Sequence, residues 1–351
     1  MLKKIFLGLL IASTLLFAQT KAQIEKLIGN MFIVGFEAQK IDANAQIIKD
    51  IQKYNLAGVI LFNKNITSAI QLKNLTTILH RYSKGNLLIA VDQEGGKVQR
   101  LSPKNGFRGY ASATTVAGNG KVGQYNIMAK ELHSMGINFN LAPVVDLALN
   151  PKNRVIVGLK RSFGSDPKNV TKYASHFIKS MNRYNVLTSI KHFPGHGSSL
   201  GDTHKGFVDV SKDWKSKELD PYRYLIDSGM VDTIMVAHVY NNKLDPKYPA
   251  SLSNKTINGL LRGQLGYDGV IISDDLQMRA ISQHYSLKNT IKLAINSGMD
   301  ILLFCNQLNP KQRVSTKKLI DTTYALLQNG EISLAQIKQA NQRINQLKSK
   351  I

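Results

Sequence analysis

Eight short apolar, β-branched runs punctuate this chain, at Met31 to Phe36, Gly58 to Phe62, Leu87 to Asp92, Ile137 to Asp146, Thr188 to Phe193, Thr233 to Val239, Gly269 to Ser273 and Asp300 to Cys305. Runs that are apolar on nearly every residue suit strands covered on both faces, as in a parallel sheet wrapped by helices. Between them lie segments with helical spacing: Ala43 to Tyr54, Ala69 to Tyr82, Val122 to Met135, Val170 to Tyr184, Pro221 to Ser228, Lys255 to Leu265 and Leu287 to Ser297. In one of these, Val170, Tyr173, Ala174, Phe177 and Met181 form an apolar stripe at three-and-four spacing. Eight alternations predict an α/β fold of the (β/α)8 TIM type, with an open doubly wound sheet as the alternative.

The first 22 residues begin with Lys3 and Lys4, continue through an apolar run from Ile5 to Phe17 and end in small and polar residues at Ala22. This pattern predicts a secretory signal peptide, with cleavage near Ala18 or Ala22. The apolar run is too short for a comfortable membrane span, so no integral membrane segment is expected after its removal. The expected product is exported, to the periplasm or the medium. Residues 23–351 contain no Pro-, Gly- and Ser-rich divider and read as one catalytic-size domain with C-terminal helices. The lone cysteine, Cys305, excludes a disulfide framework and a lipid-anchor cysteine at the processing site.

The formal charge is +23, and loss of Lys3, Lys4 and Lys21 with the leader leaves +20. Such a surface attracts polyanions. Because lysines such as Lys212, Lys215 and Lys217 are scattered over helix faces instead of gathered in one tract, nucleic acid is disfavoured as a partner. Anionic envelope polymers are the more natural neighbours.

Barrel enzymes keep their chemistry at the C-terminal ends of the strands. The polar residues fall there: Asp92 after strand three, Asp146 after four, Lys191 and His192 in five, His238 after six, and Asp274 and Asp275 after seven. For Asp146 and Asp275 the simpler expectation is an N-cap of the following helix. His238 divides evenly between a pocket wall and a satisfied core residue.

The densest signal is the stretch Lys191-His192-Phe193-Pro194-Gly195-His196-Gly197-Ser198-Ser199-Leu200-Gly201-Asp202-Thr203-His204. Its glycines, proline and histidines describe a long, specifically shaped loop. A zinc site is disfavoured, because Pro194 and the glycines prevent a helical His192/His196 ligand pair and no HExxH helix is present. A phosphate loop is weaker still, since G-x-x-x-x-G-K-[ST] is absent. Proton transfer fits best. A carboxylate beside an imidazole fixes its tautomer and stabilises its charged form, and Asp202 with His204 supplies such a pair if the chain turns between them.

This loop resembles the signature of the β-N-acetylglucosaminidases of glycoside hydrolase family 3, K-H-[FI]-P-G-H-G, four variable residues, then D-[ST]-H. Asp92-Gln93-Glu94-Gly95-Gly96-Lys97-Val98-Gln99-Arg100, Arg161-Ser162-Phe163-Gly164 and Ile272-Ser273-Asp274-Asp275-Leu276 resemble further segments of that family, in order along the chain. The resemblance implies a single catalytic barrel with Asp274 as nucleophile, His204 as acid/base and Asp202 as its partner. It also implies sugar contacts at Asp92, Arg161, Lys191 and His192, to which Arg100 and His238 are added as candidate substrate-binding residues. No metal or organic cofactor is implied. The implied substrates carry terminal β-linked N-acetylglucosamine, as chitooligosaccharides or peptidoglycan fragments (muropeptides). The rivals are a β-glucosidase or a glucosaminide phosphorylase on the same barrel, and a catalytically silent wall-binding protein. Departures occur at Lys160 and at Lys205-Gly206-Phe207, all on the expected rim.

Overall fold

A computed structural model describes residues 19–307 and 312–351. Eight parallel strands form one sheet: β1 (Phe32–Gly35), β2 (Gly58–Ile60), β3 (Leu88–Val91), β4 (Phe139–Asn140), β5 (Leu187–Phe193), β6 (Thr233–Val236), β7 (Val270–Ser273) and β8 (Leu302–Phe304). Each pairs with its sequence neighbours, β8 returns to β1 through Phe32 opposite Leu302, and a bridge from Ile272 to Ile301 closes the ring between β7 and β8. The expected barrel is therefore present, and the open-sheet alternative is not. Strand residues such as Ile33, Ile89, Ile190, Ile234 and Ile271 are almost wholly inaccessible, in keeping with a sheet filled inside and covered by helices outside.

All eight apolar runs lie in this sheet, but with shorter regular portions. The fourth is the most reduced: of Ile137 to Asp146 only Phe139–Asn140 make a full strand, followed by a single bridge from Val144 to Lys191. Pro143 lacks the N–H that a continued ladder would need. The chain from there to Asp146 is free to leave the sheet plane and enter the site.

Helices follow the strands where apolar spacing placed them. Pro167–Asn182 starts on an Asp166 cap that accepts the Asn169 N–H, and buries Val170, Tyr173, Ala174, Phe177 and Met181. The segment Lys255–Gln264 winds as a π-helix. Two C-terminal helices, Thr316–Gln328 and Leu334–Lys348, complete the outer layer. No helix among the described residues is long and apolar enough to cross a membrane.

Residues 1–18 of the expected leader lie outside the described residues. The helix Lys21–Gly29 begins on Thr20, whose hydroxyl accepts the Gln23 N–H while the Gln23 side chain accepts the Thr20 N–H. A cut after Ala22 would remove this reciprocal cap, whereas a cut after Ala18 would keep it.

Candidate active site

The C-terminal ends of the strands surround a cavity of about 1140 Å3. One wall is a network of ions. At the end of β3, Asp92 receives the Lys191 Nζ at 2.9 Å on one oxygen and the Arg100 Nη2 at 2.7 Å on the other. The Arg100 guanidinium also lies over the Phe62 ring, 5.2 Å from its centroid. Lys191 Nζ reaches Glu94 Oε1 at 2.8 Å as well, and Arg161 grips both Glu94 oxygens, each at 2.8 Å. This fork-on-carboxylate geometry holds a planar guanidinium in one orientation.

Burial alone would raise the carboxyl pKa values, but Lys191 and Arg100 hold Asp92 well below its usual range, and Arg161 and Lys191 bring Glu94 down to about 2. Burial likewise disfavours the charged form of Lys191, yet Asp92 and Glu94 outweigh it and raise its pKa. The wall is thus a set of fixed charges with donors and acceptors aimed inward, suited to gripping hydroxyl groups. Asp92, Arg100, Arg161, Lys191 and His192 all line the cavity. Glu94 does too, although sequence reasoning gave it no role of its own. Its place two residues after Asp92 was the available signal, because alternate residues past a strand end can return to the same side.

Asp146 corrects an expectation. It caps no helix: it is buried, its Oδ1 accepts the backbone N–H groups of His192 and His196 at 3.2 and 2.8 Å, and its Oδ2 meets His192 Nδ1 at 2.6 Å. Burial raises its pKa, but His192, His196 and the His196 amide outweigh this and leave it lowered. On the other side of the His192 ring, Arg161 Nη2 approaches Nε2 at 3.4 Å. Arginine only donates, so Nε2 accepts and the proton resides on Nδ1, facing Asp146.

Asp275 also differs from a simple helix cap. Its Oδ1 does accept the Gln277 N–H in a local turn, but the same oxygen accepts the Cys305 N–H from the end of β8, and burial pushes its carboxyl up to about 6. It fixes the floor across β7 and β8.

Asp274, beside it, lines the cavity. One of its oxygens accepts the Asp275 N–H at 2.8 Å, and it forms no salt bridge among the described residues. Burial favours its neutral form, yet His238, His192 and His204 and the Asp275 amide outweigh burial and lower its pKa. An ionised carboxylate with an unclaimed oxygen at the floor is nucleophilic in character.

His238 is a correction to its placement among the substrate contacts. It is fully buried and does not line the cavity; Nε2 donates to the Asp275 carbonyl at 2.9 Å and Nδ1 accepts from the Ser251 hydroxyl at 2.7 Å. Both ring nitrogens are engaged, and burial lowers its pKa. It supports the floor from beneath.

The long loop divides into a clamped base and an open tip. At the base, buried Glu218 accepts the Gly197 N–H at 2.9 Å and the Ser198 hydroxyl at 2.5 Å, while Trp214 donates to the Pro194 carbonyl at 3.0 Å. Burial pushes the Glu218 carboxyl up to about 7. Gly197 sits so close to the neighbouring loop that an added Cβ would lie 1.7 Å from the Leu147 carbonyl oxygen. His196 is buried here with its Nδ1 at 2.6 Å from the Ser199 hydroxyl, and burial lowers its pKa to about 4. His192 and His196 thus each have Nδ1 bound within the protein.

At the tip the chain does turn between Asp202 and His204. Asp202 Oδ1 accepts the His204 N–H at 3.0 Å and meets its Nδ1 at 2.9 Å. The imidazole is 53% exposed at the cavity rim, where a proton carrier can meet both a leaving group and water. Because Nδ1–H donates to the Asp202 carboxylate, Nε2 is the nitrogen left for exchange.

A closed (β/α)8 barrel that gathers charged and proton-exchanging side chains in one cavity at the C-terminal ends of its strands is built as barrel enzymes are. The model of the glycosyl hydrolase family 3 N-terminal domain matches residues 23–347. The chain is similar to a beta-hexosaminidase of Photobacterium profundum, with 36% identity over 282 residues covering 78% of this chain and 80% of that one. A beta-hexosaminidase of Hydrogenovibrio crunogenus is 34% identical over 307 residues, covering 81% of this chain and 82% of its own. Among solved structures, a family 3 beta-N-acetylglucosaminidase from Paenibacillus sp. str. FPU-7 superposes with a TM-score of 0.84 at 32% identity, over 95% of this chain and 63% of that longer one. The beta-N-acetylhexosaminidase of Beutenbergia cavernae gives a TM-score of 0.80 at 28% identity, over 93% and 98% of the two chains. The chain belongs to glycoside hydrolase family 3, and it is a glycosidase.

Proposed function

We propose that this enzyme releases non-reducing terminal β-linked N-acetylglucosamine by a retaining, two-step route. The observation that carries this reading is the pairing, in one cavity, of the salt-bridge-free Asp274 at the floor with the Asp202–His204 pair at the rim. Asp274 attacks the anomeric carbon as the glycosidic bond breaks, while His204 Nε2–H protonates the leaving oxygen. Neutral His204 then removes a proton from water, which attacks the glycosyl–Asp274 ester and frees the carboxylate. Asp202 balances the imidazolium whenever His204 carries its second proton. Asp92, Glu94, Arg161, Lys191 and His192 hold the sugar hydroxyls meanwhile.

The hexosamine specificity is supported by the named activities of the relatives. Peptidoglycan fragments and chitooligosaccharides both satisfy it. Export is the expected location, from the charge and apolar pattern of the first residues. Outside the cytoplasm the excess of basic residues would favour association with anionic envelope polymers. The test is Asp274→Ala, which should abolish release of a chromophore from an aryl β-N-acetylglucosaminide. Turnover near the wild-type rate would sink the assignment.

A further inference from the structure

The helix Pro167–Asn182 buries one face against the barrel and turns the other to solvent. Its exposed side chains are Lys168, Lys172, His176, Lys179 and Asn182, and Arg183 at the C-cap extends the row. At about 100° per residue, Lys168, Lys172, His176, Lys179 and Arg183 fall within a sector of about 80° and run for about 22 Å along the helix axis. The helix holds no acidic residue, and Asp166, just before it, is occupied as the N-cap. None of these residues lines the catalytic cavity.

Elsewhere on the surface, cations at helical spacing are matched to acids: Lys21 with Glu25, Arg223 with Asp220, and Lys317 with Asp321. Here the four-residue steps set Lys168 beside Lys172 and Lys179 beside Arg183, and like charges at that spacing weaken a helix. No salt bridge among the described residues offsets them. Arg183 donates to Asn126 Oδ1 at 3.3 Å, and Lys172 Nζ lies 5.5 Å from the centre of the Tyr173 ring. Two helices pack alongside, Gln124–Ser134 and Asp220–Asp227. Of their acids, Glu131 accepts the Tyr110 hydroxyl at 2.9 Å, Asp220 holds Arg223, and Asp227 forms no salt bridge with the stripe. The row of like charge is therefore left for a partner outside the chain.

We propose that this stripe docks a linear phosphodiester polymer, with phosphates lying in single file over Lys168, Lys172, Lys179 and Arg183. A step of four residues along the helix rises about 6 Å. An extended three-bond peptide unit spans at most about 3.6 Å, so a six-bond phosphate-to-phosphate repeat spans about 7 Å, within reach of successive flexible side chains. Lysine receives phosphate as a point charge and needs no fixed approach geometry. A bilayer-docking helix carries apolar side chains beside its cations, and a single-stranded nucleic-acid groove carries aromatic faces for the bases. This helix exposes neither, since Tyr173 and Phe177 are buried. The stripe gives a site to the association with anionic polymers proposed above, and it does not depend on the glycosidase reading. Because it lies outside the cavity, polymer held there leaves the cavity open.

The experiment titrates poly(glycerol phosphate) into the wild type, into Lys168→Gln/Lys172→Gln/Lys179→Gln/Arg183→Gln, and into a charge-matched control, Lys49→Gln/Lys73→Gln/Lys318→Gln/Lys338→Gln, whose four lysines are also exposed. Melting temperatures verify that both variants are folded. Four phosphate contacts predict a wild-type slope of log K against log salt of about −3. At about 50 mM salt the stripe variant should bind about thirtyfold more weakly and with a shallower slope, while the control stays within about twofold of wild type. Equal binding by wild type and stripe variant, or equal losses in the two variants, overturns the stripe as the site and leaves association with anionic polymers intact. No binding by the wild type overturns both. Stripe-dependent binding that is tighter to phosphatidylglycerol vesicles or to oligo(dT) overturns the proposed occupant in favour of a lipid surface or a nucleic acid.

Discussion

Asp146→Asn separates the account from a simpler one in which His192 is merely a buried polar residue. In the wild type Oδ1 accepts two backbone N–H groups and Oδ2 faces His192 Nδ1. An asparagine must keep its oxygen toward the two amides, which turns its NH2 toward Nδ1. That nitrogen then has to accept, the ring proton moves to Nε2, and Nε2–H points at Arg161 Nη2, 3.4 Å away. The three hydrogen bonds to the carboxylate lose their charge assistance, at roughly 1 kcal/mol each, or about 3 kcal/mol in all, and the Arg161 contact turns repulsive besides. If the misplaced imidazole and guanidinium bind the transition state worse by the same amount, kcat/KM falls by about 10^2. Urea titration should show a stability loss of similar size at neutral pH. The Asp146 pKa is lowered in the folded state, so its stabilisation is present above the unfolded carboxyl value of about 3.9 and disappears as pH falls through the lower folded value. The difference between wild type and variant should therefore shrink in acid. Stability within about 0.5 kcal/mol of wild type at pH 7, together with less than a threefold change in kcat/KM, would refute the tautomer argument.

Three further outcomes follow from the loop and its anchors. Glu218 has its folded pKa raised by burial to about 7, so it adds stability at low pH that is lost as pH rises from the unfolded value toward 7; Glu218→Gln should lack this decline, and the stability of wild type relative to the variant should fall by about 3 kcal/mol between pH 5 and 8 in denaturant titrations. A parallel pair of curves would count against a buried, titrating anchor. Gly197→Ala forces a Cβ to within 1.7 Å of a backbone oxygen and should cost most of the activity and lower the melting temperature, whereas Gly118→Ala, in a helix with no atom within 4 Å of the new Cβ, should be neutral or stabilising by up to about 1 kcal/mol. His204→Ala should slow substrates with poor leaving groups far more than activated aryl glycosides, where bond cleavage needs little protonation; equal losses on both would argue against an acid role.

The barrel was legible because strands buried on both faces leave an unbroken apolar record, and all eight runs joined one sheet. Strand ends were less so. Run four continues to Asp146 in the sequence, yet the full strand stops at Asn140, since a proline's missing donor matters only in the ladder. At the site, Asp92, Arg161, Lys191, His192 and Asp274 converge on one cavity from separate stretches of the chain. What the sequence conceals is partnership over distance. Asp146 resembles a cap until His192 is seen 46 residues away, and Glu94 passes for a neighbour of Asp92 until Arg161 grips it from 67 residues off. His238 shows the opposite error, since a strand-end histidine can face the floor from below, and only its bonds to Ser251 and Asp275 reveal which side it occupies.

The central claim is that Asp274 becomes covalently glycosylated. His204→Ala should slow hydrolysis of the adduct more than its formation from an activated aryl β-N-acetylglucosaminide, so mass spectrometry of this variant, quenched in acid during turnover, tests the claim most directly. The account predicts a protein heavier by one N-acetylhexosaminyl group, with the added mass on the peptide carrying Asp274 and absent from the Asp274→Ala, His204→Ala double variant. A chromophore burst with the added mass on another peptide, or the same adduct in the double variant, would contradict it.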